Sequence, residues 1–138
     1  SPARGGRRCT ARPYSRIFKR RARISRRRLS VSGSAAERPC ANSSRAVRRR
    51  ERVRHVYVSV DRGIGHGRCR FLARDGHLSR ARSCRRPIEL RARGTRHWRL
   101  RRRIRLARGN YMVRSVAVDG FGRRQRRART SLVRVRVR

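Results

Sequence analysis

Three arginines near the end of the chain, Arg134, Arg136 and Arg138, have the spacing needed to bind a row of anions. They alternate with valines, so a β-strand would place all three on one face, about 6.5–7 Å apart. That distance is close to the separation of successive phosphates along one strand of a nucleic acid. Like charges in a row on an exposed face are unfavourable unless anions lie across them. The pattern therefore indicates contact with a polyanion.

The rest of the chain extends the same chemistry. Arginine supplies all but one of the 45 basic residues, Lys19 being the exception, and six residues are acidic, so the formal net charge is +39. Self-repulsion of that size opposes a compact fold, and a bound polyanion would stabilise the folded state. The other arginines expected to bind nucleic acid are Arg26, Arg27, Arg28, Arg48, Arg49, Arg50, Arg101, Arg102, Arg103, Arg114, Arg123, Arg124, Arg126, Arg127 and Arg129.

Charge density favours duplex DNA as the polyanion. Duplex DNA carries about one negative charge per 1.7 Å of axis, so one copy of the chain would neutralise roughly 39 phosphates, or about 20 base pairs. Aromatic residues make up only 5% of the chain, so stacking on single-stranded bases is weak. No recognition helix is evident, and we expect binding without sequence readout. The alternatives are a structural cell-envelope protein that binds anionic wall polymers or lipids, and an intracellular rRNA-binding ribosomal or nucleoid protein.

The preference for arginine over lysine has two explanations. A GC-rich genome replaces lysine codons with arginine codons, which leaves the net charge unchanged. Alternatively, guanidinium is favoured because it makes bidentate contacts to phosphate and is weakly hydrated.

Catalysis is not indicated, and we expect a protein that is not an enzyme and has no cofactor. The four histidines are scattered, and Asp61, Asp75 and Asp119 occupy expected turn positions, where they would cap turns or offset arginine charge. The glycine-rich segment around His66 lacks the GxxxxGK[ST] pattern of a phosphate-binding loop. The cysteines form no CxxC pair, so no metal site is expected.

The four cysteines, Cys9, Cys40, Cys69 and Cys84, are an even number at wide spacing. This favours two disulfides and an oxidising compartment, with the pairing left open by the spacing. Four buried free thiols in a cytosolic protein are the alternative. The first residue, Ser1, would suit the new N-terminus left by signal-peptide cleavage, so we expect a secreted protein.

Alternation with a period of two predicts strands throughout the chain. Val56, Val58 and Val60, for example, share one face of a strand, and glycines separate the alternating segments as turns. About seven short strands predict an all-β sandwich over residues 14–138. Residues 1–13 are expected to form a basic tail and residues 35–50 a basic loop. The strands are expected near residues 14–18, 29–34, 53–60, 68–73, 88–93 with 98–106, 111–119 and 132–138.

The strand over residues 111–119 carries an apolar strip on its outward side, made of Met112, Val116 and Val118. Exposed apolar strips often mark contacts between proteins. We therefore expect self-association along the polyanion, and identical head-to-tail contacts would produce a filament. The alternative is that the tail or the loop over residues 123–131 covers the strip within one chain.

A resemblance to a known family rests on motifs in the same strands. Residues 29–35 and 56–60 resemble two strands of bacterial Ig-like and fibronectin-like sandwich domains. A third motif resembles the penultimate strand of those domains: Leu106-x-x-Gly109-x-Tyr111-x-Val113-x-x-x-Ala117-x-Asp119. The resemblance covers roughly residues 14–138. It implies a single Ig-like antiparallel β-sandwich and is nearly silent on function.

The segment with Cys69, Cys84 and Trp98 resembles a subgroup found in secreted proteins of high-GC actinobacteria, in which the two cysteines pair. The resemblance thus implies a Cys69–Cys84 disulfide and leaves Cys9 to pair with Cys40. It also implies that the Tyr111 hydroxyl bonds back to the backbone at a corner of the sandwich, and we expect Trp98 in the core.

The chain departs from the family pattern. Arg108 stands where proline is usual, Arg123 stands where asparagine is usual, and arginine replaces most of the usual acidic residues. These departures argue against an ordinary adhesive or carbohydrate-binding role.

Overall fold

The computed structural model describes residues 12–40 and 42–138, most of which form β-strands. A single α-helix, α1 (Arg45–Arg50), and two short 3-10 helices, Lys19–Arg21 and Arg129–Ser131, complete the regular structure of these residues. The strands are β1 (Pro13–Ile17), β2 (Arg23–Ile24), β3 (Arg28–Glu37), β4 (Val53–Gly65), β5 (Arg68–Phe71), β6 (Arg82–Ser83), β7 (Leu90–Arg91), β8 (His97–Arg103), β9 (Gly109–Asp119) and β10 (Leu132–Val137).

The strands form two antiparallel sheets, which confirms the predicted all-β sandwich. In sheet A, β3 is central: it pairs with β8 along one edge and with β1 and β2 along the other. In sheet B the order is β10-β9-β4-β5-β6, and β7 pairs with the part of β4 that β5 leaves open. The strands predicted around the disulfide segment are shorter than expected, and β2 and β6 were not predicted.

The core lies between the two sheets and is built by the expected alternation. On β4, Val56, Val58 and Val60 are fully buried. On β3, Leu29 and Val31 face them from sheet A and are buried as well. Because successive residues of a strand point to opposite faces, the residues between these positions are directed away from the core.

The two aromatic residues expected to be structural are confirmed in that role. Trp98 is 2% exposed, and its Nε1 donates a hydrogen bond to the Ser34 carbonyl at 3.1 Å. Tyr111 is also 2% exposed, and its hydroxyl donates to the Ala107 carbonyl at 2.8 Å. Each ring is thus held by its polar atom as well as by packing, as buried Trp and Tyr usually are.

The Cys69–Cys84 disulfide is present, as the resemblance implied. It joins β5 to the segment after β6, where the Cys84 amide also donates to the Gly67 carbonyl. Cys69 and Phe71 are buried on the outward side of sheet B, apart from the main core. The other predicted pair includes Cys9, which lies outside the described residues, as does most of the predicted tail over residues 1–13.

Residues 35–50 are not the continuous basic loop that the sequence predicts. Their first residues extend β3 as far as Glu37, and Arg45–Arg50 forms α1. The Ser44 side chain caps this helix by accepting a hydrogen bond from the Val47 amide. Three arginines in its last turn are favourably placed relative to the helix dipole. The helix has no buried residue, which explains why no apolar periodicity revealed it.

The contact between Gly33 and Trp98 generates a test of the fold. A Cβ at Gly33 would lie 1.9 Å from the Arg16 carbonyl oxygen and 2.5 Å from a ring carbon of Trp98. Since neither the backbone nor a packed ring can yield cheaply, Gly33→Ala is expected to lower the free energy of unfolding by about 3 kcal/mol.

The matched control is Gly63→Ala, where a Cβ would meet nothing within 4 Å. We expect this variant to stay within about 0.5 kcal/mol of wild type in urea denaturation. Equal losses for the two variants would contradict the packing of Trp98 on Gly33.

Candidate polyanion-binding site

Strand β8 presents a row of arginines that the sequence analysis does not fully identify. Arg99, Arg101 and Arg103 alternate with Trp98 and Leu100, which are buried. All three arginines therefore point away from the core, and all three are exposed. Two of them belong to a predicted cluster, but Arg99 was missed. The period-two alternation that singles out the C-terminal arginines is present here too and would have found it.

The arginines of β8 lie beside a column of serines on β3. The register places Arg101 opposite Ser30 and Arg99 opposite Ser32. Neighbouring strands are about 4.8 Å apart, so each serine side chain lies beside the arginine side chain of the paired residue on β8. The hydroxyls are half-buried and are able to donate a hydrogen bond to an anion that the arginine holds.

The other edge of the serine column is basic as well. Arg23 pairs with Ser30, and Arg16 pairs with Ser34, and both arginines are exposed. We call this surface the serine–arginine face. Its members are Arg16, Arg23, Arg28, Ser30, Ser32, Ser34, Arg99, Arg101 and Arg103, and none of them is acidic.

The outward side of sheet B carries a second basic surface. It is a groove of about 490 Å³ with Ser59 and Val116 at its floor, between residues 84–89 and the loop that leads into β10. One carboxylate lies in its wall, where Glu89 forms an ion pair with Arg124. We call this surface the arginine groove. Its basic residues are Arg85, Arg114, Arg124, Arg126, Arg127 and Arg129.

The predicted alternation in β10 is confirmed. Val133 and Val137 are buried, whereas Arg134 and Arg136 are exposed. Since β10 is an edge strand of sheet B, this row of charge runs along the border of that sheet. Arg138 follows the last residue of the strand and is also exposed.

Members of three predicted clusters that are distant in sequence meet at one end of the sandwich. They surround a cavity of about 1070 Å³ to which both sheets contribute. Its basic residues are Arg26, Arg27, Arg28, Arg103, Arg105 and Arg138. The end of the molecule formed by the start of β3 and the end of β10 is therefore densely positive. Arg102, the remaining member of its cluster, is exposed on β8 beside this end.

Two other predicted arginines, Arg123 and Arg50, make contacts within the fold. The Nε of Arg123 donates to the Asp119 carboxylate at 2.8 Å, and its guanidinium lies 4.8 Å from the centre of the Phe121 ring. Arg50 contacts the same ring at 4.4 Å, and its carbonyl accepts a hydrogen bond from the Gly120 amide. The cluster over residues 48–50 thus lies on α1, beside the turn after β9 and away from the serine–arginine face.

Three carboxylates gather at this opposite end: Glu37, Glu51 and Asp119. Hydrogen bonds from the Ser43 hydroxyl and the Cys40 amide lower the pKa of Glu51. Burial, followed by the neighbouring Asp119 carboxyl, raises the pKa of Glu37 to about 7. Three of the six carboxylates therefore lie at the end of the sandwich away from the arginine-lined cavity.

Two of the three aspartates expected at turns are found there. Asp119 accepts the Phe121 and Arg123 amides at 2.9 Å each, and Asp75 accepts the His77 amide at 2.9 Å. Burial opposes ionisation of Asp119, but its hydrogen bonds outweigh this and lower its pKa. The turn position predicted for Asp61 is wrong. Asp61 lies within β4 and is 8% exposed, and burial raises its pKa.

The apolar strip on β9 is not open, contrary to expectation. Val118 is 9% exposed, and Met112 and Val116 are half-buried. The chain returns along this part of β9, because Val118 pairs with Arg124 and the Ala117 amide donates to the Gln125 side chain at 2.9 Å. The loop alternative therefore fits the structure better than a free subunit contact.

Comparison with known proteins found no family model, no curated protein and no solved structure that matches the chain. Membership of the Ig-like family thus stays a prediction, whereas the two-sheet sandwich is observed. Across the described ranges, no helix is long and apolar enough to cross a membrane. The same ranges contain no group of three or more His, Cys, Asp or Glu side chains arranged to hold a metal ion.

The raised pKa of Glu37 generates a pH test. In the folded state this carboxyl titrates at about 7 instead of 4.5, so between these values the folded protein binds more protons than the unfolded chain. The protonated form of Glu37 therefore stabilises the folded protein relative to the ionised form. This contribution to the free energy of unfolding is fully present below pH 4.5 and is lost as pH rises through about 7.

Glu37→Gln cannot ionise, so its stability relative to wild type is expected to increase across that interval. Urea denaturation of both proteins at the two limits measures the difference. A constant difference between the two proteins would contradict the assigned titration.

Proposed function

We propose that the protein binds duplex DNA through its phosphates, without reading the base sequence, by laying the serine–arginine face along the DNA backbone. The observation that carries the proposal is the composition of that face. Guanidinium groups flank a central column of hydroxyls on the outward side of sheet A, and the nine members of the face include no carboxylate.

The chemistry of the face suits phosphate. Guanidinium binds phosphate oxygens in a bidentate manner, and arginines on one strand recur about every 6.5–7 Å. A broad sheet face does not enter the major groove as an α-helix or a two-stranded ribbon does. The contacts are therefore to the backbone, which fixes position without carrying sequence information.

The aromatic side chains favour a duplex over a single strand as the ligand. Trp98 and Tyr111 are buried in the core, and Tyr14 is exposed on the outward side of sheet A. Phe121 is the other exposed Phe, Tyr or Trp ring of the described residues, and it is in contact with the Arg50 and Arg123 guanidinium groups. Two exposed rings, one of them already in contact with guanidinium groups, cannot provide the successive stacking contacts typical of single-strand binders.

We further propose that the protein acts outside the cell, with many copies coating or compacting DNA. The Cys69–Cys84 disulfide supports an oxidising compartment, and this argues against the intracellular rRNA-binding alternative. Anionic wall polymers and lipid surfaces present similar phosphate chemistry, so they remain the competing ligands. With the strip on β9 largely covered, the proposal of self-association rests on charge neutralisation between neighbouring copies.

Binding to a random-sequence duplex is expected to depend steeply on salt. With ten or more phosphate contacts, the slope of log K against log salt is about −9 or steeper. Replacing Arg99, Arg101 and Arg103 with Gln is expected to make the slope shallower by about 2.7, because each lost phosphate contact removes about 0.9. Fluorescence anisotropy across a salt series measures both quantities.

The control has the same change in charge at the other end of the molecule. Replacing Arg38, Arg45 and Arg52 with Gln removes three exposed arginines near the carboxylate cluster, and we expect its slope to match wild type. Equal effects of the two triple variants, a slope near zero, or strong preference for one sequence would contradict the proposal. Stronger binding to poly(glycerol phosphate) than to DNA at equal phosphate concentration would favour the wall-polymer alternative.

A further inference from the structure

We propose that one molecule holds two separate duplexes, one against the serine–arginine face and one against the arginine groove. The inference rests on the proposed function and extends it from coating a single duplex to bridging two. It follows from the position of the second basic surface, which no sequence pattern revealed as a separate site.

The two surfaces lie on opposite sides of one core. Arg99 of the serine–arginine face stands between Trp98 and Leu100, which are buried in that core. Ser59 of the groove floor stands between Val58 and Val60, which are buried in the same core from the other sheet. Because neighbouring residues of a strand point in opposite directions, the two surfaces face away from each other.

A single duplex cannot serve both surfaces of one molecule. Packed sheets lie about 10 Å apart, whereas the persistence length of DNA is about 50 nm. A duplex on one face therefore continues past the sandwich without turning back over the other. When a duplex occupies one surface, the arginines of the other surface still face solvent and have no phosphates to neutralise them.

The groove keeps a positive balance after its own ion pairs are counted. Glu89 pairs with Arg124, and the buried Asp61 interacts with Arg114. The other four arginines of the groove, Arg85, Arg126, Arg127 and Arg129, are all exposed. Arg134 and Arg136 of β10 add exposed charge along the border of the same sheet. The groove is therefore a second phosphate-binding surface.

The test uses an immobilised duplex and a second, fluorescent duplex of different sequence. Protein is bound to the first duplex, excess protein is washed away, and capture of the second duplex is measured. Wild type is expected to capture it. Replacing Arg126, Arg127 and Arg129 with Gln removes the groove surface and keeps the first binding step. Capture is then expected to fall about tenfold or more, because three phosphate contacts are lost.

Two further triple variants separate bridging between opposite faces from general condensation by a polycation. The variant of Arg99, Arg101 and Arg103 is expected to lose capture to a similar degree. The variant of Arg38, Arg45 and Arg52 removes the same charge and is expected to capture like wild type. Since all nine positions are exposed, circular dichroism and thermal unfolding are expected to show native folding in each variant.

The outcomes distinguish this inference from the proposed function. A wild-type protein that binds the immobilised duplex but captures no second duplex overturns bridging alone. Equal loss of capture in all three variants also overturns it, because charge and not position would then be decisive. A wild-type protein that does not bind the first duplex overturns both.

Discussion

Mutual repulsion among the arginines is the constraint on which the rest of the structure depends. With a net charge of +39 on 138 residues, most pairs of charged side chains repel each other in any compact state. The fold reduces this cost by directing guanidinium groups outward, where water screens them, while apolar residues alternate inward. A β-sandwich suits such a sequence because every second residue of a strand is available to solvent.

The few carboxylates are used locally and do not neutralise the molecule as a whole. Asp119 holds the turn after β9 and pairs with Arg123. Glu51 joins the segment before α1 to the sandwich through the Cys40 amide and the Ser43 hydroxyl. These acids lie at one end, and the arginine-lined cavity lies at the other. The outward side of sheet A consequently keeps its positive charge, which the proposed polyanion would neutralise.

The alternation of apolar and polar residues predicts the sandwich, but it does not predict which side chains from different strands form one surface. The burial of Val56, Val58 and Val60 and the exposure of Arg134 and Arg136 follow from a period of two, and both were predicted. The serine–arginine face was not, because it requires knowing that β1, β2 and β8 all pair with β3. Register across strands is set by tertiary packing, so a local pattern does not reveal it. Helix α1 was missed because its capping by Ser44, and not an apolar stripe, defines it.

Arginine modification tests whether the fold concentrates anion binding on particular faces. The protein is treated with phenylglyoxal with and without duplex DNA, and each arginine is quantified by mass spectrometry. If the serine–arginine face holds the DNA, Arg99, Arg101 and Arg103 are strongly protected, whereas Arg38, Arg45 and Arg52 are protected only slightly. Uniform protection of all exposed arginines would contradict it, since the DNA would then be held by net charge alone.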